Sequence, residues 1–187
     1  GGAGNSNIAD AAATIDVSNV TAPVISSVAY NQGTGVLSVT GANFVNKVGV
    51  NNDIDVTKLA LTGEGGDSYT LTTSNVEISS ATGFSVTLNA ADKLVVNGLL
   101  NKNGTVADDG TTIYNLNAAE DYMPAVAASS NIVAATNAVT VSNVQVPTIT
   151  SATYNAGTKA LVVTGSGFAR KFAGDDINVS LLSVVGQ

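Results

Sequence analysis

Short stretches in which apolar and small polar residues alternate recur along the whole chain. Val24 to Tyr30 and Gly35 to Thr40 are the clearest, and the intervening Asn31-Gln32-Gly33-Thr34 has the composition of a hairpin turn. A period of two sends successive side chains to opposite faces of a strand, so each of these segments has one apolar face. The same alternation predicts strands over 56–62, 68–73, 76–80, 84–88, 111–116 and 138–144, each bounded by Gly, Asn, Asp or Ser. Many short strands at this spacing point to a β-sandwich. One segment breaks the rhythm. Asn89 stands where a helix N-cap belongs, Ala90 to Leu100 follow with apolar residues at helical spacing, and Asn103-Gly104 supply a stop. A second short helical turn is expected over 117–122. Both helices then lie in connections and cover an edge or end of the sandwich.

The pattern repeats at long range. Ile15-Asp16-Val17-Ser18-Asn19-Val20 returns as Val139-Thr140-Val141-Ser142-Asn143-Val144, and Pro23 to Asn31 returns as Pro147 to Asn155, a constant offset of 154 − 30 = 124 residues. Leu37 to Phe44 matches Leu161 to Phe168, and after one deletion Asp53 to Leu59 matches Asp176 to Leu182. Upstream, Asn7-Ile8 matches Asn131-Ile132. The substitutions keep the alternation, the aromatic positions Tyr30/Tyr154 and Phe44/Phe168, and the turn glycines Gly33/Gly157 and Gly41/Gly165. No charged cluster survives intact in both copies. The expected organisation is therefore the end of one repeat over 1–20, a complete repeat over 21–144 and the beginning of the next over 145–187, a portion of a longer tandem array.

Composition narrows the function. Charged residues make up 11% of the chain, against roughly 25% in average soluble domains. The surface is accordingly expected to be Thr-, Ser- and Asn-rich, as in many exported β-proteins. A net charge of −7 with only seven Lys and Arg leaves no basic footprint for nucleic acid. Cysteine and histidine are both absent, which removes disulfides, thiolate sites and triads built on His, and leaves any enzyme reading to carboxylates, Lys or Tyr. The chain is read as non-enzymatic. No run of about 18 apolar residues exists to cross a membrane as a helix. The opening Gly1-Gly2-Ala3-Gly4 has neither a basic nor an apolar signal region, and the repeat favours reading the chain as an internal segment.

Pro23-x-Ile25-x-Ser27, then Gly33, then Leu37-x-Val39-Thr40-Gly41-x-Asn43-Phe44 resembles the opening of IPT/TIG-type immunoglobulin-like domains, and Pro147 to Phe168 resembles it equally. The chain departs from that family where its usual Gly-Gly pair is replaced by Tyr30-Asn31-Gln32-Gly33. The resemblance implies tandem immunoglobulin-like β-sandwich repeats, all-β with a short helical insertion at about 89–103. The repeat as a whole is similar to those of large bacterial surface proteins and adhesins, which implies export, an extracellular place at the bacterial cell surface, and loops stiffened by calcium.

Candidate sites are few. Asn51-Asn52-Asp53-Ile54-Asp55 carries side-chain oxygens at alternate positions, a donor set suited to Ca²⁺, and Gly174-Asp175-Asp176-Ile177-Asn178 is its counterpart. Asp53, Asp55, Asp176 and Asn178 are the candidate calcium ligands. Asp and Asn are equally favoured at such positions for turn reasons, and the spacing lacks the distal bidentate Glu of a complete calcium loop. Glu64-Gly65-Gly66-Asp67 and Asp108-Asp109-Gly110 read as solvated turns. Glu120-Asp121 could form half of a glycosidase pair, yet no aromatic platform accompanies them, with Trp absent and aromatics at 5%. Asn19, Asn103 and Asn178 sit in acceptor patterns for N-glycosylation that so Asn- and Thr-rich a chain generates by chance. Tyr30 and Tyr154 read as packing residues.

The function expected from these features is a structural or adhesive repeat unit whose partners are other copies of itself. Assembly into a filament or surface layer would use a strand such as Thr14 to Val20 exchanged between copies. The alternative is a ligand-binding accessory module of a secreted enzyme.

Overall fold

The computed structural model describes residues 14–126, 134–171 and 174–185. Asn7-Ile8 and Asn131-Ile132 of the repeat lie outside them. The hairpin expected at the start forms as strand β1 (Val24–Asn31) and strand β2 (Val36–Ala42), antiparallel with Asn31 opposite Val36. Its turn closes through the Gly35 N–H donating to Asn31 O at 2.8 Å, with Gly35 at a φ of 75°. A bulge between Ile25 and Ser27 presses Gly41 against the Val24 carbonyl. A β-carbon on Gly41 would lie 2.0 Å from that oxygen, so only glycine fits.

The segment expected as one strand over 56–62 divides. Asp55 caps a single 3-10 turn at Val56–Lys58, and β3 (Leu59–Thr62) follows. Next come β4 (Ser68–Thr70), β5 (Ile78–Ser80) and β6 (Gly83–Thr87), then helix α1 (Ala90–Leu99), β7 (Asn115–Ala118) and β8 (Ala134–Ser142). A last pair, β9 (Thr148–Asn155) and β10 (Ala160–Ser166), forms a separate hairpin. The helical turn expected over 117–122 is not present. Asn117 and Ala118 instead pair with Ala60 and Leu59, and the Ala119 N–H donates to Lys58 O. A ladder against β3 that buries Ala118 outweighs the local helical preference.

Eight strands make one curled sheet in the order β4-β3-β7-β8-β1-β2-β6-β5. Its joint is β8. Ala134, Asn137 and Ala138 of this strand pair antiparallel with β7, while Val139 to Ser142 pair parallel with Val28 to Asn31 of β1. Side chains from both wings meet in one core: Val28, Tyr30, Leu37 and Phe84 from one, Leu59, Leu61 and Leu116 from the other. The described chain is thus mostly β with one short α-helix. Among the described residues no helix is long and apolar enough to cross a membrane.

α1 begins as its sequence predicts, with the Asn89 side chain accepting from the Asp92 N–H. It ends several residues before the expected Asn103-Gly104 stop. There the Gln32 side-chain amide donates to the carbonyls of Asn97 and Leu100, satisfying acceptors that the last turn leaves open. Tyr30, fully buried, donates its hydroxyl to Asn97 Oδ1 at 2.7 Å. The other end is held by Asp92, a buried carboxylate that accepts from the N–H and hydroxyl of both Thr72 and Thr73 and from the Tyr69 hydroxyl. Burial opposes the charge, but the Thr72, Thr73 and Tyr69 donors outweigh it and hold the carboxyl below the usual range.

A depressed carboxyl pKa stabilises the fold above the unfolded value near 4 and loses that contribution as pH falls. Asp92→Asn is expected to cost about 2–3 kcal/mol at neutral pH, because several donors lose a charged acceptor. Urea unfolding at pH 7 and pH 3 should show a smaller gap between the two pH values for the variant than for the parent protein.

Candidate functional site

Local chemistry repeats between the two hairpins down to hydrogen bonds. β9 and β10 carry the same bulge, with Thr164 opposite Ser151 and Gly165 opposite Ile149. A β-carbon on Gly165 would meet the Thr148 carbonyl at 2.0 Å, as one on Gly41 meets Val24. The Thr150 hydroxyl donates to Thr164 O at 3.1 Å where Ser26 donates to Thr40 O at 3.2 Å. Asn178 caps a 3-10 turn at Val179–Leu181, the counterpart of Asp55 before Val56.

Burial is where the two differ. Tyr30 and Val56 are 0% exposed, whereas their counterparts Tyr154 and Val179 are 63% and 73% exposed. Of the two tyrosines read as packing residues, Tyr30 is a core residue and Tyr154 stands in the open. Ile149, Leu161, Phe168, Ile177 and Leu182 line an apolar groove of about 550 Å³ that opens between the second hairpin and Leu94 of α1. The positions that line it match Ile25, Leu37, Phe44, Ile54 and Leu59, all buried in the first copy.

The second hairpin is attached to the eight-stranded unit through α1. The Arg170 N–H donates to Leu94 O at 2.9 Å. Gly98, one turn further along the helix, faces the same backbone so closely that a β-carbon would sit 1.9 Å from Arg170 O. The nearest atoms beyond the helix all belong to this one segment, Arg170 and the Lys171 nitrogen. Sequence reading identified the helix but not this use of it, since Leu94, Gly98 and Arg170 carry no local signal of a contact about 70 residues apart.

The four candidate calcium ligands are all engaged by donors. Asp53, fully buried, accepts from the Lys47 N–H, from Asn46 Nδ2 at 3.1 Å and from the Ile78 N–H at 3.0 Å. Burial pushes its carboxyl up, and the backbone N–H groups of Lys47 and Ile78 pull it down further, leaving it below the usual range. Asp176 accepts from the Lys171 N–H at 2.8 Å, the equivalent bond. Asp55 and Asn178 cap their 3-10 turns through the Thr57 and Ser180 N–H groups. A cation at Asp53 would have to displace the N–H groups that its oxygens already face. Among the described residues no three His, Cys, Asp or Glu side chains cluster together.

The Glu64 and Asp109 loops, expected as separate solvated turns, latch together. The Gly65 N–H donates to Asp109 Oδ2 and the Asp109 N–H to Glu64 Oε2, each at 3.1 Å. The Thr112 hydroxyl and N–H, with Thr111 N–H and Gly65 N–H, hold the Asp109 carboxyl far below the carboxylate range.

No protein-family model, no curated protein and no solved structure matches this chain. The site's own geometry is that of an apolar groove beside a backbone contact between α1 and the segment after β10.

Asp53→Ala leaves three donors without their acceptor and is expected to cost about 3 kcal/mol. Asp55→Ala removes one cap and is expected to cost about 1 kcal/mol. Urea unfolding of the two variants should rank them in that order with or without added calcium.

Proposed function

We propose that the chain is a non-catalytic structural or adhesive repeat module of a bacterial surface protein, an immunoglobulin-like sandwich built to stand in series with copies of itself outside the cell. The observation that carries this reading is the joint at α1. A helix inserted between strands of one unit presents Leu94 O and the bare face of Gly98 to the loop that follows the second hairpin, and that hairpin repeats the register, bulge and caps of β1 and β2. The sandwich assignment is supported by the way β8 is shared between two wings around one core. In series, each α1 sets the orientation of the next unit, so the array transmits position by rigid contact instead of through a flexible linker. A surface of Thr, Ser and Asn with few charges suits a module that faces solvent and other modules.

Gly98→Ala separates the joint from the unit. Replacing a glycine inside a helix by alanine stabilises the helix by up to about 1 kcal/mol, while the added methyl cannot coexist with Arg170 O at its present place. The variant is expected to unfold at a temperature a few degrees higher and to lose the slow hydrogen exchange of the Arg170 amide. Retained protection at Arg170 would remove the joint and the serial reading with it. Electron microscopy of the native material, with calcium and after chelation, tests the larger claim. Filaments or sheets establish a self-assembling role, and their loss on chelation assigns calcium to the Asp53/Asp55 and Asp176/Asn178 loops. Separate beaded particles in both conditions leave a projecting stalk and remove calcium from the account.

A further inference from the structure

Resting on that serial reading, we infer that Gln32 is the positioning residue of the joint: with Asn103 it clamps residues 143–147, which lead from β8 to β9, and so sets the direction in which the second hairpin leaves the unit. The clamp acts on consecutive amides. The Val144 N–H donates to Asn103 Oδ1 at 3.1 Å, and the next N–H, that of Gln145, donates to Gln32 Oε1. Both acceptors belong to the eight-stranded unit, and both amides follow its last strand. Gln32 is only 2% exposed, and its side-chain amide is fixed from the other side by the Asn97 and Leu100 carbonyls at the end of α1. One side chain thus spans the gap between the helix end and the connection.

The connection in turn grips the hairpin that follows. Gly167, just after β10, has a φ of 70°, and a β-carbon there would be 2.8 Å from Val146 O. The equivalent approach in the first copy is a hydrogen bond, Asn43 Nδ2 donating to Ala22 O at 3.2 Å. The second hairpin is therefore held at two places, through 143–147 and through Arg170 on Leu94. A single contact leaves a unit free to turn about it, whereas two separated contacts fix its direction.

Gln32 is not needed to form its own turn. The second hairpin keeps Asn155 and Gly157 but has Ala156 where the first has Gln32. Its turn still closes, with Asn155 Oδ1 accepting from the Thr158 N–H as Asn31 Oδ1 accepts from the Thr34 N–H. What the glutamine adds is the reach to α1 and to Gln145. Alanine has neither the donor nor the acceptor, so a copy that carries it lacks this half of the clamp. In series, joints of different stiffness follow from one residue.

Residual dipolar couplings of backbone amides read direction separately from stability. In the parent chain one alignment tensor should fit the amides of β1, β2 and β6 together with those of β9 and β10. Gln32→Ala puts the residue of the second copy into the first, and its couplings should need two tensors. If that variant does not fold, Asn103→Ala decides by the same measurement, because Asn103 is exposed and its loss frees the Val144 N–H alone. A single tensor in the variant would leave Gln32 as a cap for α1 and overturn the inference, as would two tensors in the parent chain. The serial reading is judged separately, on the Arg170 amide in Gly98→Ala. A single tensor in Gln32→Ala with Arg170 protection lost in Gly98→Ala therefore refutes the clamp and leaves that reading standing.

Discussion

Val139 to Ser142 lie beside Val28 to Asn31 with the strands parallel, and the two wings of the sheet meet there. Every other neighbouring pair in the sheet is antiparallel. A parallel pair cannot be closed by a short turn, and here more than one hundred residues separate the two paired segments. The first half of β8 pairs with β7. One strand thus fixes the spacing of both wings, and the apolar face of β1 is sealed only when it arrives. Removing it would expose Val28 and Tyr30 together with the residues they cover.

α1 is fastened at both ends to what that strand encloses. At one end Asp92 gathers Thr72, Thr73 and Tyr69; at the other Tyr30 and Gln32 reach Asn97 and Leu100. Gln32 further accepts from the Gln145 N–H, which follows β8, so strand, hairpin and helix share one polar knot. The buried Asp92 carboxylate is stable because its oxygens are saturated by hydroxyl and amide donors. The helix is then rigid enough to serve as a seat, and its outward face carries Leu94 and Gly98 to the second hairpin.

The two hairpins form a natural experiment. Their sequences impose the same turn, bulge and caps, and these appear in both, with or without a covering layer. What covering adds is burial. Tyr30 becomes a core residue with a hydroxyl pushed well above its usual pKa by desolvation, while Tyr154 stays in solvent. The apolar face that the local code builds in the second hairpin lies open at Ile149 and Leu161.

Most of the β-strands, the α1 cap and the repeat were legible in the residues themselves. Alternation sets which face of a strand is apolar, Asn89 sets where a helix starts, and Gly41 and Gly165 meet carbonyls of the paired strand in their own hairpins; such effects act within one element or one hairpin. The expected helical turn over 117–122 failed because a distant partner, β3, offered Ala118 a ladder. The sequence shows Asp53 among oxygens at alternate positions, but the N–H groups of Lys47 and Ile78 that it faces come from outside that stretch. Asp92, Gly98 and Arg170 went unnoticed for the same reason. Short-range sterics and periodicity are written along the chain, so the sequence alone determined the strands, their apolar faces and the duplicated pattern. Pairing order, burial and the meeting of groups far apart depend on which surfaces exclude water together, and only the tertiary structure decided that β8 joins the two wings by closing on β1.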